Sequence, residues 1–100
     1  MRCKITRNAA KVIQRELDNE PNKDLKLRVF VTHMHGDHAH YGMDLDYPKE
    51  NDEIVATDKG IEVLLDRNEP LLDGVTIDYL YLPQEGFVIT NPSKGNRGDH

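Results

Sequence analysis

The spacing of apolar positions switches from a helical to a strand period after the first twenty residues. Ala9, Ala10, Ile13 and Leu17 recur three to four residues apart, which predicts a helix. Thr6 stands ahead of them as an N-cap whose hydroxyl can meet a free backbone N–H. Asn19-Glu20-Pro21-Asn22 ends the helix, because proline cannot continue the hydrogen-bond ladder. From Leu25 the period is two, with Leu25, Leu27, Val29 and Val31 on one side and Lys26, Arg28, Phe30 and Thr32 on the other. Tyr41, Met43, Leu45 and Tyr47 alternate in the same way with Gly42, Asp44 and Asp46. Residues 48–52 read as a loop. Ile54-Val55-Ala56 and Ile61-Glu62-Val63-Leu64-Leu65 flank the turn Asp58-Lys59-Gly60, a hairpin signal. Residues 68–74 suit one helical turn closed by Gly74. Val75, Ile77, Tyr79 and Tyr81 predict a further strand, and Phe87-Val88-Ile89 the last. Cys3 and Ile5 form a short opening strand.

One helix followed by many short strands predicts an α+β domain, mostly β: a compact unit of short mixed or antiparallel strands with one N-terminal helix. Leu27, Val29, Val31, Ile77 and Phe87 are expected to point inward. Residues 1–92 form the domain. Residues 93–100 are a polar, glycine-containing tail expected to be flexible.

A length of 100 residues fits one domain with one modest core. The formal net charge of −5, with no basic stripe evident along the chain, sets aside nucleic acid and membrane as partners. The polar start lacks an apolar signal core, so a cytoplasmic location is expected. Cys3, the single cysteine, cannot form an internal disulfide. The acidic run from Asp44 to Glu53 reads as a solvated surface, Tyr41, Tyr79 and Tyr81 as packing aromatics, and Met34 and Met43 as filler.

Four of the five histidines fall within eight residues, in Thr32-His33-Met34-His35-Gly36-Asp37-His38-Ala39-His40-Tyr41. Imidazole nitrogen is a common ligand for zinc, copper, nickel and iron. In extended backbone His33 and His35 share a face, Gly36 lets the chain turn, and His38 and His40 share a face in their turn. Asp37 can ligate or accept a ring N–H. The candidate metal ligands are therefore His33, His35, His38, His40 and Asp37. A solvated loop is the competing reading.

The order of elements, and the words within them, resemble the HesB/IscA family of A-type iron–sulfur carriers. Four stretches carry the resemblance. They are Ile5-Thr6 with Ala9-Ala10; Leu27-Arg28-Val29-Phe30-Val31-Thr32 with Tyr41-Gly42-Met43; Pro48-Lys49-Glu50-Asn51-Asp52-Glu53 with Gly60-Ile61-Glu62-Val63; and Leu72-Asp73-Gly74-Val75-Thr76-Ile77-Asp78-Tyr79 with Gly86-Phe87-Val88-Ile89 and Asn91-Pro92. The resemblance implies a cysteine before Tyr41-Gly42, which falls by register on Gly36. It also implies a Cys-Gly-Cys tail, which falls on Gly98-Asp99-His100. None of the three cysteines is present, and thiolates are the usual cluster ligands. His100, at the register of a tail cysteine, joins the candidate ligands.

The expectation is a non-enzymatic protein of iron–sulfur cluster assembly, an accessory or carrier. It would bind one divalent transition metal, iron or zinc, through the histidine loop, with no cysteine-ligated iron–sulfur cluster. Its partners would be proteins of iron–sulfur or metal handling, and a homodimer is left open. Two alternatives stand beside it. A cysteine-less family member could act as a regulatory or partner-binding module without metal. His33-x-His35-x-Asp37-His38 also resembles the zinc motif of metallo-β-lactamase-type hydrolases, in which zinc generates a hydroxide nucleophile. That fold needs a longer chain and further ligands downstream.

Overall fold

The computed structural model describes residues 1–36 and 38–94. The chain opens with β1 (Cys3–Ile5), and Thr6 then caps α1 (Arg7–Asn19), accepting a hydrogen bond from the Ala9 N–H at 3.3 Å. The same hydroxyl donates to Asp78 Oδ1 at 2.7 Å, so the cap also fastens the helix start to the strand beneath it. Beyond the helix, Lys23 Nζ donates to the carbonyls of Leu17 and Asp18, two of the acceptors a helix C-terminus leaves open. Ala9 and Ile13 are buried, with Ala10 and Leu17 packed against the same core.

The strands follow as β2 (Lys26–His35), β3 (His38–Asp46), β4 (Asp52–Ala56), β5 (Glu62–Asp66), β6 (Val75–Leu80) and β7 (Gly86–Thr90). Two 3-10 turns, Pro70–Leu72 and Pro92–Lys94, stand before β6 and after β7. The strands form two sheets, ordered β1-β6-β7 and β3-β2-β5-β4. β1 pairs with β6 and β2 with β5 in parallel, and the three hairpin pairings are antiparallel. One core draws on both sheets and the helix: Ile5, Ile13, Leu27, Val29, Val63, Leu65, Leu72, Val75 and Ile77 are all buried.

Three sequence expectations need correction. Phe87 is 37% exposed rather than inward. It lies on β7, which has a neighbour on one side only, and its ring meets Tyr79 edge-on at 4.8 Å. β2 does not give way to a loop at the histidines but runs through them to His35. The acidic run is not uniformly solvated, because the Asp52 side chain is only 3% exposed. Arg28 explains that burial. It grips both oxygens of Asp52, at 2.7 and 2.6 Å, and Asp46 through Nε at 3.0 Å. The Lys49 N–H completes the carboxylate's coordination at 2.7 Å. Charge-assisted hydrogen bonds of this kind can offset the desolvation of a buried carboxylate. Those from Arg28 hold the Asp52 carboxyl below its usual range.

Asn91, also buried, donates from Nδ2 to the carbonyls of Leu71 and Asp73 at 2.7 and 2.8 Å and accepts from the Ser93 hydroxyl at 2.7 Å. This ties the end of β7 to the turn before β6. Gly74, at φ +94°, adopts a conformation that side-chain-bearing residues avoid.

Candidate functional site: a histidine-bearing hairpin

The candidate site is the outer end of the β2–β3 hairpin. The core-facing residues of β2 oppose those of β3 in register, Leu27 with Leu45, Val29 with Met43 and Val31 with Tyr41. Arg28, Phe30 and Thr32 face away from the core. If pairing continued regularly, Thr32 would oppose His40, and His33 would take the same face as Val31. It does not. The register shifts between Val31 and His33, and the pairs beyond are His33 with His40, Met34 with Ala39, and His35 with His38.

This is a β-bulge, one extra residue on one strand, and it resets the phase of everything beyond it. Directly opposed residues of an antiparallel pair project to the same face. His33, His35, His38 and His40 therefore share one face, while Met34 and Ala39 take the other, where Ala39 is buried. Gly36 supplies the φ of +65° at the turn. Gly42 serves the same outer face in another way. A Cβ there would sit 2.8 Å from Phe30 Cε2, so its absence lets the Phe30 ring lie across β3.

His33, His35 and His40 are exposed and His38 is half-buried. The His33 and His40 rings stack at 4.3 Å with 12° between their planes, and His35 meets His40 edge-on at 6.5 Å. Ring-nitrogen lone pairs lie in the ring plane, so stacked rings present them side by side rather than converging. Accordingly, among the described residues no three His, Cys, Asp or Glu side chains are grouped as a metal site. Asp37 and His100, the other two candidates, lie outside the described residues, as do Gly98 and Asp99.

Thr32, which nothing in the linear pattern marks out, contributes a polar anchor. Its hydroxyl donates to the His40 carbonyl at 3.1 Å and lies 3.3 Å from His33 Nδ1. A hydroxyl has one proton. With that proton on His40, the second contact is satisfied by Nδ1–H donating to Thr32, which leaves the lone pair on His33 Nε2. Cys3 is of a different kind. It lies on β1 in the other sheet, and burial pushes its thiol up to about 12, so it stays a protonated thiol at neutral pH. No helix among the described residues is long and apolar enough to cross a membrane.

The comparisons with known proteins agree with one another on the fold family. No protein-family model matches the chain. The chain is 38% identical over 95 residues to the iron-sulfur cluster insertion protein ErpA of Marinobacter nauticus, covering 89% of this chain and 83% of the relative. It is 37% identical over 92 residues to ErpA of Buchnera aphidicola, covering 90% and 83%. Among solved structures, Escherichia coli SufA, described as involved in biosynthesis of iron–sulfur clusters, superposes with a TM-score of 0.72 at 22% identity, covering 90% of this chain and 80% of that one. IscA, solved with a 2Fe–2S cluster, gives 0.65 at 22% identity, covering 91% and 83%. Relatives in sequence and neighbours in fold thus match over nearly the whole chain, and the chain belongs to the HesB/IscA family of A-type iron–sulfur carriers.

Proposed function

We propose that this chain is a cytoplasmic, non-enzymatic accessory or carrier protein of iron–sulfur cluster assembly. Its histidine hairpin holds one divalent transition metal, iron or zinc, in place of a cysteine-ligated cluster. The observation that carries the reading is the bulge at Thr32, which gathers four imidazoles on one face of one hairpin. That face surrounds Gly36, the register at which the family resemblance calls for a cysteine. The relatives named above are cluster insertion proteins. The single cysteine here is a neutral thiol in another sheet and offers no thiolate at the hairpin.

Loading needs the exposed rings to turn out of their stack, so that nitrogens from His33 and His40 or from His35 and His38 meet at one ion. Exposed side chains change rotamer readily. Thr32, by holding the His33 Nδ1 proton, keeps Nε2 available, the role an outer partner plays for many metal-bound histidines. Protons compete with metal for the same lone pairs, so affinity falls on acidification. Partner proteins of metal or cluster handling would receive the ion, and Asp37, His100 or a second copy of the chain could complete its coordination.

Titration calorimetry of the untagged chain with zinc, and anaerobically with ferrous iron, tests this. The expected result is one equivalent bound per chain. His33→Ala with His40→Ala, or His35→Ala with His38→Ala, should weaken binding at least tenfold with an unchanged circular dichroism spectrum. Thr32→Val should weaken it about 10- to 100-fold. Unchanged affinity in both double variants would overturn the reading, and no metal bound by the parent would leave the metal-free partner-binding module. Turnover of a chromogenic lactam by the zinc-loaded chain would instead favour the hydrolase alternative.

A further inference from the structure

The charges of α1 are arranged against the helix's own stability. A helix carries partial positive charge at its N-terminus and partial negative charge at its C-terminus, so acidic residues stabilise the first turn and basic residues the last. Here the first turn holds no acidic residue and the last no basic one. Arg7 opens the helix, Lys11 follows one turn later, and Glu16 and Asp18 close it. Arg7, Lys11 and Arg15 recur every four residues, so they form one stripe along about 12 Å of helix. All three are exposed, and among the described residues none of them makes an ion pair. The stripe corrects the expectation that the chain carries no basic stripe. In the linear sequence its members are separated by apolar and neutral residues, and only the helix aligns them.

The stripe also borders a groove. Arg7, Lys11 and Arg15 form one wall of a depression of about 650 Å³ between α1 and the β4–β5 turn, and Lys59 stands on the other side. The half-buried Ala10 supplies its apolar floor, over the buried Ile61. Three unpaired cations of α1 thus face a shallow trough with Lys59, which is itself paired with Asp58 at 3.2 Å, and Asp18 is the one carboxylate in its lining, in a protein whose net charge is −5.

We propose that this trough is the docking surface for an acidic segment of a partner protein, a helix with carboxylates about one turn apart. Such carboxylates repeat at about 6 Å, the spacing of the basic stripe, and the partner's apolar side chains would meet the half-buried Ala10. A duplex or an anionic membrane would bring many charges against the acidic remainder of the surface, whereas a single acidic helix touches only the stripe. The proposal does not rest on the histidine hairpin.

The test uses the full 15N-labelled chain and a peptide probe with three glutamates at i, i+4 and i+8 in a helix-forming background, at low salt. Amide shifts should be confined to α1 and the Asp58-Lys59-Gly60 turn. Arg7→Gln with Lys11→Gln and Arg15→Gln should weaken binding at least tenfold. Arg7→Glu alone should weaken it while raising the melting temperature, since an acidic residue at the helix start complements the dipole and faces Lys11 one turn on. A stripe kept for stability would give the opposite temperature shift. The proposal is overturned if millimolar peptide shifts nothing, if the shifts scatter, or if the triple variant binds equally. It is also overturned if duplex DNA or phosphatidylserine vesicles bind this face more tightly than the peptide.

Discussion

Replacing Asp52 by asparagine should be among the costliest conservative changes in this protein. The two side chains have the same shape, so the loss is purely one of hydrogen bonding and charge. Oδ1 accepts from Arg28 Nη1 at 2.7 Å, and Oδ2 accepts both Arg28 Nη2 at 2.6 Å and the Lys49 N–H at 2.7 Å. An asparagine amide has one oxygen and one NH2 group. With NH2 at the Oδ2 position it opposes two donors, and with NH2 at the Oδ1 position it opposes one. Neither orientation satisfies the site, and a side chain only 3% exposed has little recourse to water.

Breaking a buried ion pair costs roughly 3–5 kcal/mol. Arg28 retains Asp46 at 3.0 Å and the Tyr47 carbonyl at 3.1 Å, which lowers the expected loss to about 2–4 kcal/mol. For a chain of this size that is a fall in melting temperature of about 10–25 °C. Urea unfolding at pH 7, followed by circular dichroism, reads it directly. The pH dependence gives a second handle with a definite sign. Hydrogen bonds from Arg28 hold the Asp52 carboxyl below its ordinary 3.8, so its contribution is present above that value. It is lost as pH falls through the lower folded value. The stabilities of parent and variant should therefore converge in acid, below about pH 4. A loss under 1 kcal/mol at pH 7, or a gap that persists undiminished in acid, would refute the reasoning.

Two further outcomes follow from the fold. Gly74→Ala should destabilise by about 2 kcal/mol or more in thermal unfolding, because φ is +94° and the new Cβ would run into Ser93 Oγ and sit 3.0 Å from Asn91 Oδ1. A melting temperature equal to the parent's would mean the Asn91 anchor gives way freely. Cys3, its thiol pushed up to about 12, should react with iodoacetamide at pH 8 far more slowly in the native chain than in urea, and equal rates would show that β1 opens readily.

The sequence by itself determined the elements and their order. A period of 3.6 through Ala9, Ile13 and Leu17, and a period of two through Leu27, Val29 and Val31, are local properties of the chain. Local torsional and hydrophobic preferences act on them directly. The cap at Thr6, the turn at Asp58-Lys59-Gly60 and the glycine at 74 are local for the same reason. Pairing within the histidine segment was legible too, since residues two apart on a strand share a face.

The tertiary structure alone decided how those pairs meet. Register across two strands is not written in either one, and one extra residue, near Thr32, determines whether His33 and His35 face His38 and His40 or turn toward the core side. Thr32 is an ordinary strand residue in sequence, so nothing marked it as the position of the bulge or the partner of His33. The same holds for Asp52, whose burial depends on an arginine 24 positions away, and for Phe87, whose exposure follows from β7 lying at a sheet edge. It holds as well for Lys59, which joins the basic stripe only because the β4–β5 turn lies beside α1. In each case the deciding contact spans elements, and its energy depends on burial and neighbours that a linear reading does not contain.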